Sequence, residues 1–274
     1  ELSVSWPVAA HLRGQLLLDL RSDVPLVKAL GVSQGDQGGP TILLREVDPT
    51  FFLTVGSRES PPGRPADMSV FNVFFDSPAQ RPYQTYRTDL KVTDVRVWSE
   101  GRSEHIAIKG LKAGPFAGEL WFTIHPGTAL VHIEAVMKTD EDRRAFLYDA
   151  GLIGKGPPGG RVAWVDTDGM TRTVTFGDNT TDRAIAVRHR TIIAESDVGS
   201  VALFPPPHQF FFPRDYTDNL QTVWFGRDHR GLEARPSLGI RQAEKGGGSY
   251  SPWFNAPPGT EQRLGLFLLM SREK

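Results

Sequence analysis

The sequence predicts an all-β fold, a large antiparallel β-sandwich with few or no helices. Two observations carry this. Glycine (28 residues) and proline (21) are spread along the whole chain, and they punctuate many short runs rich in Val, Ile, Phe, Thr and Trp. The second is the stretch Phe116–Met137, which reads as two alternating strands joined by Pro126-Gly127-Thr128-Ala129. On the first strand Leu120, Phe122 and Ile124 point one way and Trp121, Thr123 and His125 the other. On the second, Val131, Ile133, Ala135 and Met137 oppose Leu130, His132, Glu134 and Val136. A four-residue loop sets Thr123 opposite His132 and Trp121 opposite Glu134, so one face is apolar and the other gathers an aromatic ring, imidazoles and a carboxylate. Such a face either floors a polar ligand site or is simply the solvent side of a sandwich.

Taken in order, strands are expected at Leu2–Trp6, Gln15–Leu20, Thr41–Glu46, Phe51–Val55, Met68–Phe75, Leu90–Trp98 and Glu104–Lys109 before the hairpin. After it they are expected at Ala145–Ile153, Arg161–Val165, Thr171–Phe176, Ala184–Ala194, Ser200–Phe204, Gln209–Phe212, Gln221–Phe225, Ser237–Arg241 and Gln262–Met270. One short helix is expected around Asp23–Leu30, with Asp23 as cap, Pro25 in the first turn and Gly31 as stop. Asp166-Thr167-Asp168-Gly169 between alternating runs signals a tight hairpin; it also begins like a calcium loop but lacks the later glutamate. Without a composition shift or internal repeat, residues 1–274 are expected to form a single domain.

The 274-residue chain has a formal net charge of -1, with both signs mixed throughout, and shows no basic stripe or motif for nucleic acid. It has no cysteine, which excludes disulfides, thiol chemistry and cysteine-based metal sites. No apolar run is long enough to span a membrane as a helix. The chain opens at Glu1 rather than Met, from which we expect a trimmed leader or preceding domain and a secreted or periplasmic bacterial protein. No metal or other cofactor is expected, since the seven histidines include no HxH or HExxH spacing.

Chemistry is expected first in the loop Pro205–Asn219. Three prolines end a strand and present His208, followed by Arg214, Asp215, Tyr216 and Asp218. His208 suits a general acid or base oriented by Asp215 or Asp218, with Arg214 stabilising negative charge and Tyr216 binding substrate. The plainer alternative makes His208 an edge cap and the acids ordinary turn formers. Arg227, His229 and Arg241 suit an anionic or polyhydroxylated ligand if their strands are neighbours, and are otherwise solvated surface groups. Trp253 and Asn255 suit a sugar ring and its hydroxyls, or else Trp253 plugs one end of the sandwich.

Gly118–Gly127 followed by Leu130–Thr139 resembles the central sheet of galactose-mutarotase-like supersandwich proteins, and His208-Gln-Phe-Phe-Phe resembles the histidine–aromatic segment of aldose epimerases of that fold. Pro205–Pro207 departs from that pattern, and the second catalytic histidine and late glutamate of the epimerases have no motif here. The resemblance implies a supersandwich fold and a carbohydrate ligand. It implies an epimerase-, lyase- or glycosidase-type enzyme acting on a sugar or uronic-acid polysaccharide, with His208, Arg214, Asp215, Arg227 and Arg241 catalytic and Trp121, His132, Glu134, Tyr216, His229, Trp253 and Asn255 binding substrate. The alternative is a non-catalytic carbohydrate-binding or structural β-domain of a larger protein.

Overall fold

The computed structural model describes residues 1–35, 39–58, 82–154, 160–177, 180–207, 221–244 and 253–273. These residues form nineteen strands and no helix. β1 (Leu2–Ala9), β2 (Leu12–Leu18), β3 (Val27–Gln34), β4 (Thr41–Ser57) and β5 (Gln84–Arg87) start a ten-stranded sheet. β6 (Asp89–Glu100), β7 (Ser103–Ala113), β8 (Phe116–Ile124) and β9 (Leu130–Lys138) start a nine-stranded sheet, and β10 (Arg144–Gly154) crosses back to the first. β11 (Arg161–Val165) and β12 (Thr171–Thr175) belong to the second sheet, β13 (Arg183–Ile185) to the first, and β14 (Ile192–Ser196) and β15 (Gly199–Phe204) to the second. β16 (Val223–Gly226), β17 (Ser237–Ile240) and β18 (Phe254–Ala256) complete the first sheet, and β19 (Gln262–Ser271) the second.

Every ladder pairing between named strands is antiparallel, so the expected all-β sandwich is what the chain forms. Alternation decides which side chains go inside. Phe51, Leu53, Tyr148, Ala150 and Leu152 from one sheet meet Phe122, Ile124, Ile133, Leu264 and Leu266 from the other in one continuous core. Tyr148 spans that core and donates its hydroxyl to the Gly265 carbonyl at 3.1 Å, a bond that keeps a buried polar tip satisfied.

The Phe116–Met137 hairpin has the predicted register, with Thr123 opposite His132 and Trp121 opposite Glu134. The Asp166–Gly169 turn is likewise a hairpin: Gly169 takes φ +87° and its N–H bonds the Asp166 carbonyl, while Asp166 and Asp168 both pair with Arg172.

The expected helix at Asp23–Leu30 is absent. Asp23 adopts φ +67°, which a helix cap does not, and Val27 onward is strand paired on both sides, to β2 and β4. A run this short carries either period, and two-sided pairing that buries Val27, Leu30 and Val32 outweighs a modest helical preference. Thr41–Glu46 and Phe51–Val55 merge into β4, while Ala184–Ala194 splits between the two sheets. The expected strands Met68–Phe75 and Gln209–Phe212 lie outside the described residues.

Candidate functional site

β10 is apolar along most of its length, and only one charged side chain interrupts its interior. With Tyr148, Ala150 and Leu152 inside, alternation turns Asp149, Gly151 and Ile153 to the outer face of the ten-stranded sheet. Gly151 pairs with Gly239 on β17, and the Trp224 indole lies across both, where a Cβ at either position would stand 2.6 Å or less from the ring. His229 then stacks on Trp224, centroids 4.0 Å apart, with Phe52 edge-on to the imidazole at 5.0 Å. A pair of glycines thus makes room for an indole, and the indole is the shelf for an imidazole.

The turn that delivers His229 is bent sharply. Asp228 and Arg230, on either side of it, adopt φ +65° and +54°, an uncommon conformation for such residues. The return is that His229 and Arg230 both reach Asp149, which is only 1% exposed. Asp149 Oδ2 accepts from His229 Nε2 at 3.0 Å and Arg230 Nε at 2.5 Å; Oδ1 accepts from Arg230 Nη2 at 3.1 Å and the Gln242 N–H at 2.9 Å. His229 Nδ1 faces Asp182 Oδ1 at 3.0 Å, and Arg230 also pairs with Glu244. Carboxylates only accept, so both imidazole contacts are hydrogen bonds when the ring carries both protons. Burial alone would push the Asp149 carboxyl up, but the Arg230 and His229 charges outweigh it and hold Asp149 well below the usual carboxylate range. Burial likewise opposes the Arg230 charge, and Asp149 more than restores it. A second set, Arg87–Glu233–Arg235–Asp48, ties the far end of the same loop to β5 and β4.

The strands that precede Arg227 and Arg241 are neighbours, as the expected site required, but the two arginines leave β16 and β17 at opposite ends. Arg227 N–H bonds the Thr180 carbonyl, whereas Arg241 N–H bonds the Thr222 carbonyl at 2.8 Å. Arg241 therefore stands in register between Asp149 and Thr222 on the outer face, and Arg227 does not converge with it. Trp253 is 5% exposed, packed with Ala145 and Leu147 and edge-on to Tyr83, so it is a packing residue rather than an open platform. Asn255 Oδ1 accepts from Arg58 Nε at 2.9 Å. His208, Arg214, Asp215 and Tyr216 lie outside the described residues.

Trp121, His132 and Glu134 stand on the outer face of the other sheet, with the core between them and His229, because β9 turns Val131 and Ile133 inward. The two expected groups therefore line no common pocket. On this second face Trp98, His105, Thr123, His132, Phe267 and Phe204 occupy one register row across six strands. Rings stack along the row: Trp98 on His105 at 5.0 Å, His132 on Phe267 at 4.2 Å, Phe267 on Phe204 at 5.5 Å. Arg263 covers the Trp121 ring at 4.6 Å and reaches Glu134 at 3.3 Å. Burial, then His125 and Arg263, push the His132 imidazole down to about 4, and burial raises the Glu134 carboxyl against the pull of Arg263.

Asp149, Arg230 and Asp182 were not singled out by sequence. Asp149 had a signal, a lone acid inside the run Ala145–Ile153, whereas its pairing with residues 80 and 81 positions away had none. Among the described residues no cluster of His, Asp and Glu is arranged to hold a metal ion, and no helix is long and apolar enough to cross a membrane.

No family model matches the chain, and no curated protein matches it. Among solved structures, all of the chain aligns with 99% of a galactose mutarotase related enzyme from Lactobacillus acidophilus, at 11% identity and a TM-score of 0.44. Of a GH36 alpha-galactosidase from Geobacillus stearothermophilus it covers 40%, with 98% of the present chain aligned, 10% identity and a TM-score of 0.45. For a glycosyl hydrolase family 38 protein from Enterococcus faecalis the figures are 29%, 95%, 10% and 0.39.

Proposed function

We propose that the chain is a carbohydrate-active protein that receives a saccharide on the outer face of the ten-stranded sheet, with His208 as its acid/base. The observation that carries the location is the Asp149–His229–Arg230 constellation, buried on a face that is not the core and held by two left-handed non-glycine residues. Buried ion networks and backbone strain are both costly, and they concentrate where a rigid site is built. Charged groups fixed in this way, with Asp182 at the more open edge, suit the paired hydrogen bonds that vicinal hydroxyls make. The saccharide class is supported by the sequence resemblance of Gly118–Gly127, Leu130–Thr139 and His208–Phe212.

A second reading, a binding module without turnover, is favoured by one observation: both nitrogens of His229 are engaged by carboxylates, so this imidazole is a support and not a free proton carrier. A proton-NMR time course with neutral and uronic-acid oligosaccharides separates the two. New or faster-exchanging anomeric signals, reduced about a hundredfold or more by His208→Ala with the fold retained, are the expected result for the enzyme. Line broadening without new signals assigns the binding module. Unchanged spectra across the panel remove the carbohydrate reading.

A further inference from the structure

The outward row next to Asp149 contains a guanidinium and a hydroxyl that the described residues do not satisfy. Arg241 is the register neighbour of Asp149 on one side and Thr222 on the other. Its nearest carboxylate neighbour in the row is already used: Asp149 accepts four hydrogen bonds from His229, Arg230 and Gln242, which fills the four acceptor positions of a carboxylate. Arg241 is left with a 3.2 Å bond from Nη1 to the Gln221 carbonyl and has no ion pair among the described residues. Beside it Thr222 is 7% exposed, and its buried Oγ1 has no hydrogen-bond partner. A partnerless buried hydroxyl is rare in a folded chain and costs stability without return. Inward-facing Val223 and outward-facing Trp224 fix by alternation that Thr222 points to the same outer face as Trp224.

We infer that Arg241 and Thr222 form an anion-reading subsite that takes the carboxylate of an acidic saccharide, a uronate unit. This deepens the carbohydrate reading above and rests on it. A guanidinium fork matches a carboxylate with two parallel N–H bonds, and the hydroxyl adds a third donor. The charge count selects among anions. Arg241 feels both Asp149 and Asp182, and these two carboxylates repel a dianion about twice as strongly as a monoanion. A carboxylate therefore fits better than a phosphate. Burial lowers the Arg241 pKa against the pull of Asp149 and Asp182.

The test is titration calorimetry of the full chain with galacturonate and glucuronate oligosaccharides, their neutral counterparts and inorganic phosphate. The expected result is acidic over neutral by about tenfold or more, with weak or no phosphate binding. Arg241→Gln should abolish that preference. Thr222→Val, which removes the hydroxyl and keeps the shape, should weaken the uronate about tenfold while the thermal midpoint is unchanged or higher. If neutral saccharides bind and the preference is absent or survives Arg241→Gln, this inference alone falls. Phosphate displacing the uronate at equal concentration overturns the carboxylate assignment. If no saccharide binds at all, the carbohydrate reading falls and this inference with it.

Discussion

The two outer faces are built from the same half-buried alternation, yet they satisfy their polar groups in opposite ways. On the nine-stranded sheet partners come from adjacent strands in register, Ser103 with His125 and His105 with Thr123, or from the same strand, Trp121 with Glu119 two residues away. Its rings stack in two groups, Trp98 on His105 and His132–Phe267–Phe204, so the row pins strand register. On the ten-stranded sheet partners come from a loop that folds back over the strands, His229 and Arg230 to Asp149 and Glu233 to Arg87. The lesson is that a polar sheet face becomes a candidate site when a crossing segment buries charge on it, not when polar residues merely alternate.

The sharpest way to break the comparison is to remove one carboxylate from each face. Asp149→Ala leaves Arg230 and His229 buried without their common partner and is expected to cost about 3–5 kcal/mol. Glu134→Ala, whose partner Arg263 is 40% exposed, is expected to cost less than about 1 kcal/mol. Urea denaturation midpoints measure both, and equal losses would erase the distinction.

Acid titration separates the faces next. His132 titrates near 6.5 when unfolded and about 4 when folded, so the unfolded chain binds the extra proton between these values. Its contribution is complete above pH 6.5 and is lost as pH falls toward 4, up to about 3 kcal/mol. Glu134 works the other way, because its raised pKa gives stability that is present at low pH and lost as pH rises through the folded value. His132→Gln isolates the imidazole: the variant should lose the excess stability slope between pH 6.5 and 4 relative to the parent. Asp149 is silent in that window, since a depressed carboxyl gives stability present above its unfolded value near 3.8 and lost only on further acidification. A parent slope undiminished by His132→Gln would contradict the burial argument for this face, whereas the lowered His125 pKa leaves a remainder of the same sign.

Smaller in effect is Phe267→Ala, which removes the ring between His132 and Phe204. A half-buried aromatic with two stacked neighbours is expected to contribute about 2 kcal/mol, and thermal melts of this variant should shift without any change at the opposite face. A simultaneous loss of the proposed saccharide response would mean that the faces are coupled through the core, across which the Tyr148–Gly265 bond is one link.

How much was legible in the sequence follows the same divide. Register and face in the Phe116–Met137 hairpin depend on side-chain period and loop length, both local, and they are found as read. The strand that replaces the expected helix depends on β2 and β4 lying to either side, which no window of eight residues contains. The candidate face was partly visible for the same reason. His229 and Arg241 could be chosen by residue type and by sitting after strand-like runs, and both stand on the outer face that carries Asp149, whereas Arg227 leaves β16 at the opposite end from Arg241 because of the antiparallel pairing of β16 and β17, which no local window contains. For Trp253 the sequence offered both a platform and a plug, and its packing with Ala145, Leu147 and Tyr83 is that of the plug, among partners which only the tertiary arrangement brings together. Asp149 needed a contact across 80 residues to be recognised as the hub.

The mildest substitution tests whether the ring row really sustains itself. Arg96 pairs with Glu119 at 2.8 Å and lies over Trp98 at 5.6 Å, at the open end of the row, and its side chain is 56% exposed. Exposed pairs gain little, because water screens the charges and two long side chains must be held still. Glu119 also keeps its bond from Trp121 Nε1 at 2.8 Å when Arg96 is removed, so no acceptor is stranded. Arg96→Ala is therefore expected to cost less than about 1 kcal/mol, read as a small shift in the urea midpoint with the m-value unchanged. A loss approaching that of Asp149→Ala would mean that the surface cation holds Trp98 against His105, and the row would then depend on charge in the way the opposite face does.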